Sequence, residues 1–191
     1  DGSGTLSWTA MSGGASAIND LTDTLVEDNS LYVGNNPSST TDTAEYNVAV
    51  GTTALDAVTT GYKNTAVGQE ALGYNTTGNN NAALGHNALN RNTSGTYNTA
   101  TGAVALYSNT TGQYNTALGN SALRLNTTAD YNTALGTQAL ELNTTGVSNT
   151  ASGMYALRDN STGSYNTAVG YQTGDVITTG SNNTIIGYGA D

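Results

Sequence analysis

The sequence predicts an all-β protein, a parallel β-solenoid (β-roll) of nine 17-residue coils, and three observations carry that prediction. Nine glycines, Gly51, Gly68, Gly85, Gly102, Gly119, Gly136, Gly153, Gly170 and Gly187, fall 17 residues apart without an insertion or deletion. A fixed short period is the signature of one structural unit stacked on copies of itself. The unit is also rich in Asn, Thr and Gly, so it has too few residues for two helices and fills them with poor helix formers. Finally, the charges keep to a few positions of the unit, as they must if only part of each coil meets water.

Residues 114–130, Tyr-Asn-Thr-Ala-Leu-Gly-Asn-Ser-Ala-Leu-Arg-Leu-Asn-Thr-Thr-Ala-Asp, illustrate the unit, whose positions are numbered one to seventeen from Tyr114. Position two is asparagine in all nine coils, and position four is alanine in eight, with Ile185 in the last. Ala-Leu recurs at positions nine and ten from Ala54-Leu55 to Ala156-Leu157. Asn-Thr-Ala-Leu-Gly reads as a short strand ended by glycine, and Ala-Leu as the start of a second. Asn-Thr-Thr-Gly at positions thirteen to sixteen has the side-chain and positive-φ chemistry of a tight corner. Strands stacked about 4.8 Å apart make nine such coils a rod of roughly 43 Å.

Alternation along the strand sends positions four and five to opposite faces. The branched residues of position five (Val50, Val67, Leu84, Leu118, Leu135, Val169 and Ile186) and the leucines of position ten are therefore placed inside the coil. Thr101 and Ser152 interrupt the first of these ladders and are expected to bond backbone groups. The alanines of position four, Ala49, Ala66, Ala83, Ala100, Ala117, Ala134, Ala151 and Ala168, then face outward. A small apolar ladder of that length is the expected subunit interface. A core this thin, without phenylalanine or cysteine, also calls for association, and a straight rod suits a parallel homotrimer.

Residues 1–45 precede the regular coils 46–191 as a connector and capping segment. Thr5 to Ala10 alternates like a strand burying Leu6 and Trp8, and Gly13-Gly14 breaks it. Ile18, Leu21, Leu25 and Val26 form a weak helical stripe. Leu31-Tyr32-Val33-Gly34 reads as a degenerate coil, since Gly34 lies 17 residues before Gly51, with Pro37 where alanine is usual. The chain starts at Asp1 without methionine and stops at Asp191 within a repeat, as a piece of a longer protein would.

The 14 acidic residues against four basic ones argue against nucleic acid or an anionic membrane as partner. No apolar stretch is long enough to span a bilayer, so membrane insertion is not expected. From residue 45 to 190 every charge sits at position one, eight, eleven, twelve or seventeen, the positions expected to face water.

Catalytic chemistry is not expected. His86 is a lone histidine at a variable position, and Asp56, Glu70, Glu141 and Asp159 are scattered singly over different coils. No coil position carries a recurring aspartate, so no metal or other cofactor is expected. Asn75, Asn92, Asn109, Asn126, Asn143 and Asn160 begin glycosylation sequons, which their shared corner position explains as turn chemistry. The tyrosines at position one, Tyr97, Tyr114, Tyr131 and Tyr165, are the candidate contacts for a glycan or protein, or else a stacked corner ladder.

The Asn-Thr-Ala-Leu-Gly strand with a downstream alanine, as in Asn115 to Gly119 and Ala122, resembles the head repeats of trimeric autotransporter adhesins. The longer unit with Asn-Thr-Thr-Gly corners, with the Asp1 to Trp8 and Ile18 to Asp23 segments, is similar to repeats in bacteriophage tail fibres, especially of marine phages. The likeness covers essentially the whole chain, although adhesin head coils are shorter. It implies a left-handed β-roll, a homotrimer, a place on a virion or bacterial surface, and a role in attachment to a host glycan or protein. Two alternatives accompany that expectation. One is an ice- or water-ordering surface built on threonine pairs such as Thr76-Thr77 and Thr110-Thr111, which point apart in a strand and so fit corner ladders better. The other is a polysaccharide-acting tailspike segment.

Overall fold

The computed structural model describes residues 24–27, 29–34 and 44–190; for 24–27 only the backbone is described. The predicted Thr5–Ala10 strand, Ile18, Leu21 and Pro37 lie outside these residues. The architecture is an all-β solenoid. Strand β1 (Thr24–Glu27) pairs antiparallel with β2 (Ser30–Val33), which places Leu25 and Val26 in a strand instead of a helical stripe. From β2 onward the sheet is parallel and strictly sequential, through β3 (Val48–Val50), β4 (Thr65–Val67), β5 (Ala82–Leu84), β6 (Thr99–Thr101), β7 (Thr116–Leu118), β8 (Thr133–Leu135), β9 (Thr150–Ser152), β10 (Thr167–Val169) and β11 (Thr184–Ile186). Each strand pairs with the equivalent residues of the coil before and after, for example Ala117 with Ala100 and Ala134.

Each coil holds one three-residue strand, not two, because the expected second strand is a corner. The leucine of position ten adopts left-handed backbone angles in every coil that has it, such as Leu106 at φ 50° and Leu123 at φ 52°. Residues at positions one and eight do the same, as at Tyr114 (φ 56°) and Ser121 (φ 57°). Positive φ therefore falls at position one, after the Asn-Thr-Thr-Gly run. Left-handed backbone costs an L-residue roughly 1–2 kcal/mol. What holds these corners is hydrogen bonding to both neighbours: Leu123 N–H donates to Ala139 O (3.0 Å), Tyr114 N–H to Thr96 O (3.1 Å) and Ser121 N–H to Ala103 O (3.0 Å).

The glycine beat has a packing cause as well as a conformational one. Gly119 has φ 138°, and a methyl group built on it would lie 2.5 Å from the carbonyl oxygen of Gly136 in the next coil. From Gly51 to Gly170, position six is a place where successive backbones come too close for a side chain.

The alanine ladder is inside the coil, and this overturns the expected orientation. Ala49, Ala66, Ala83, Ala100, Ala117, Ala134, Ala151 and Ala168 are all at most 1% exposed, whereas Leu84 and Leu118 of position five are 51% exposed. The alternation holds, but its two sides are the reverse of those expected. In a full coil the interior already holds residues such as Leu123, Ala122, Asn115 and Asn126, which leaves position four room for a methyl group, whereas the end coils admit Tyr32 and Ile185 there. Consequently these alanines cannot be a subunit interface, and Thr101 and Ser152 lie on the outside with no interior bond to find.

Two buried asparagine ladders complete the core. At position two, Asn115 Nδ2 donates to Ala129 O across its own coil (2.8 Å), and its Oδ1 accepts the backbone N–H of Asn132 (3.0 Å). At position thirteen, Asn126 Nδ2 donates to the same Ala129 carbonyl (3.0 Å) and to Asn109 Oδ1 of the preceding coil (3.0 Å). One position-sixteen carbonyl thus ties both ladders together, and buried polar groups satisfied in this way carry little net penalty. The sequon asparagines belong to the second ladder and are fully buried in the folded coil.

The ends of the ladder are variations on the same plan. Ser30 stands 17 residues before Asn47 and substitutes for asparagine there, since its hydroxyl accepts Asn47 N–H (2.9 Å) and donates to Ala44 O (2.9 Å). Beside it Tyr32 occupies the alanine position and is fully buried, so the degenerate coil expected from Gly34 is present and the parallel ladder reaches back before residue 46. Toward the other end Gly174 replaces leucine, and Ile177 and Ile185 close on the space it leaves, with methyl carbons 3.4 and 3.2 Å from where a side chain would begin.

Candidate functional site

With the alanines inside, the outer face of the sheet becomes the surface of interest. Positions three and five both point outward from every strand, giving burial patterns such as exposed-buried-exposed in β5. Position three presents Thr65, Thr99, Thr116, Thr133, Thr150 and Thr167, and position five presents Val50, Leu84, Leu118, Leu135, Val169 and Ile186. No charged residue occurs at either position in any of the nine coils. An exposed aliphatic rank on a polar scaffold, here broken only at Thr101 and Ser152, marks a contact surface more often than a bare one. Ile186 is 72% exposed.

The candidate tyrosines border this face. Tyr97, Tyr114 and Tyr131 stack in register, with ring centroids 4.9 and 5.2 Å apart and planes within 4° of parallel. Tyr165 is exposed but stands apart, because Ser148 interrupts the rank. The stack is the corner ladder that period and position allow, and its rings still offer about half their surface to solvent. The corner threonines have a structural role: Thr110 Oγ1 donates to Thr127 O (3.1 Å), and Thr127 Oγ1 to Thr144 O (3.1 Å).

Charged groups collect on another side of the coil. At position eleven, Arg124 Nε binds Glu141 Oε1 at 2.8 Å, and Gln138 Nε2 donates to Glu141 Oε2 at 2.6 Å. Arg158, in the next coil, bonds Asp159 at 2.7 Å. That hydrogen bond, aided by the charges of Asp175 and Glu141 and opposed by burial, holds the Arg158 guanidinium pKa above its ordinary value. Of the four acids singled out in the sequence, Glu141 and Asp159 are therefore engaged with arginines, while Asp56 and Glu70 line one groove. His86 is exposed and its Nε2 lies 2.8 Å from Asn87 Nδ2. Among the described residues no three His, Cys, Asp or Glu side chains gather as a metal site.

Two surfaces escape sequence reasoning. Side-chain size suggests burial for the aliphatic rank, and the narrow coil overrules it. The groove at Glu70 leaves no signal of its own, because positions eleven and twelve differ from coil to coil and Gly73 and Tyr74 are two variations among many. No protein-family model, curated protein or solved structure matches this chain.

Proposed function

We propose that this chain is a non-enzymatic shaft or head segment of an extracellular fibre, a viral tail fibre or a surface adhesin, in which three parallel copies pack sheet to sheet and support attachment to a host. The observation that carries the reading is the charge-free outer face of β3 to β11, with its aliphatic rank at position five. In a parallel trimer each such residue meets its own copies around the axis, so apolar layers meet apolar layers. Thr101 and Ser152 then meet their own copies too. Two hydroxyl layers in an otherwise aliphatic seam fix the register, as single polar residues do in coiled coils. The left-handed sense of the coil rests on the likeness to adhesin head repeats.

Sedimentation equilibrium should return three times the chain mass. Leu118→Lys with Leu135→Lys should return one chain mass with an unchanged circular dichroism spectrum. A wild-type monomer would sink the fibre reading.

One observation favours a second reading. The threonines of position three, unlike those at the corners, form an outward rank on successive strands from Thr99 to Thr167, and Thr99-Ala100-Thr101 presents two hydroxyls on one face. A rank of outward hydroxyls on successive strands is what would favour an ice- or water-ordering surface. A monomer that slows ice-crystal growth, and loses the effect on Thr116→Lys, would select it.

A further inference from the structure

A site that takes one small ligand per chain stands where the repetition fails, since identical coils would repeat it along the rod. The side that carries positions eleven and twelve fails in this way. In later coils long charged side chains, Arg124, Glu141 and Arg158, fill position eleven. In the second coil the position is Gly73, and in the third Asn90 folds inward, buried, donating from Nδ2 to the Glu70 backbone oxygen at 2.9 Å and toward Glu70 Oε2 at 3.5 Å. Two adjoining hollows result, of about 450 and 200 Å³, which share Glu70, Tyr74 and Asn90.

The lining has a definite chemistry. Tyr74, 61% exposed, stands at one side, and Tyr107, two coils on, lines the other with the Arg91 guanidinium 5.0 Å from its ring centre. Between them lie the Glu70 carboxylate, the Asn90 amide and Thr93, with Asp56 in the smaller hollow. Aromatic faces attract the weakly positive C–H groups of a flat partner, and carboxylates accept hydrogen bonds from hydroxyls. Aromatic faces beside a few convergent polar groups are what a small polar ligand requires, and this open groove has both. Two carboxylates against one guanidinium disfavour an anionic ligand.

We propose that this groove binds a neutral saccharide, one pyranose lying against Tyr74 with its hydroxyls donating to Glu70 and Asp56. This deepens the host-contact part of the fibre reading but does not use the outer sheet face, so each can fail alone. The test uses the full chain with maltotriose, laminaritriose and triacetylchitotriose, each titrated to about 10 mM, beyond the millimolar range of weak single sites, and followed by saturation-transfer NMR. At least one should bind. Tyr74→Ala should weaken it about tenfold or more, and Gly73→Arg, which fills position eleven as Arg124 does, should abolish it. Tyr131→Ala, on the stacked rank, should leave it unchanged. No binding by any of the three, or binding that survives both groove substitutions, overturns the proposal. Sedimentation of the same variants reports the trimer independently.

Discussion

Left-handed backbone at residues other than glycine is a costly local feature, and among the described residues it recurs three times in most coils. At position eight the occupant varies freely among Glu70, Asn87, Val104, Ser121 and Gln138, all with φ between 53° and 58°. The β-branched Val104 suits that conformation least and asparagine suits it best. Val104→Asn, copying Asn87 one coil earlier, should therefore raise stability by about 1 kcal/mol, read as a higher urea midpoint at unchanged slope. Such corners are illegible in the sequence. Leucine at position ten advertises burial, which it has, but nothing in its preferences announces φ near 50°. The glycine beat is legible because close approach and positive φ both exclude every other residue at position six.

Within a coil, the strand is short and the asparagine ladders do much of the joining. Asn132 accepts two bonds from Asn149, from its backbone N–H at 3.0 Å and from Nδ2 at 3.1 Å, while its own Nδ2 donates to Gly146 O at 2.9 Å. Asn132→Ala strands the buried Asn149 N–H, a loss of about 1–3 kcal/mol. Amide exchange at Asn149 should accelerate before that of distant coils, and uniform protection would refute the ladder's role. The constancy of position two across all nine coils is visible in the sequence, yet its cause is not, since the bonds run to a carbonyl 14 residues on and an amide 17 residues on. The same distance explains the reversed alanines. A period-two pattern separates two faces, but which one is interior depends on how much width the rest of the coil leaves.

At the scale of the rod, the strands of the described residues touch only those of adjoining coils, so stability is close to a sum of coil and interface contributions. Removing residues 114–130 should leave a shorter rod that still folds, with the Arg91 and Tyr107 side untouched. Removing 114–129 instead shifts every following residue by one position and should unfold the C-terminal coils. Circular dichroism per residue separates the outcomes: both deletions folding alike would contradict a strict register. The overall architecture is readable because its evidence is repetition, which survives averaging. The groove at Gly73 and Tyr74 is not, because positions eleven and twelve vary along the whole rod, and one more variation looks like noise until the surface around it is seen.

Strict neighbour-to-neighbour contact makes length a heritable variable. A tandem duplication of one coil in the coding DNA keeps the reading frame, preserves every bond type and demands no compensating mutation elsewhere. Rod length can therefore be tuned by recombination alone, in steps of about 4.8 Å, while the groove and the outer face are carried along unchanged.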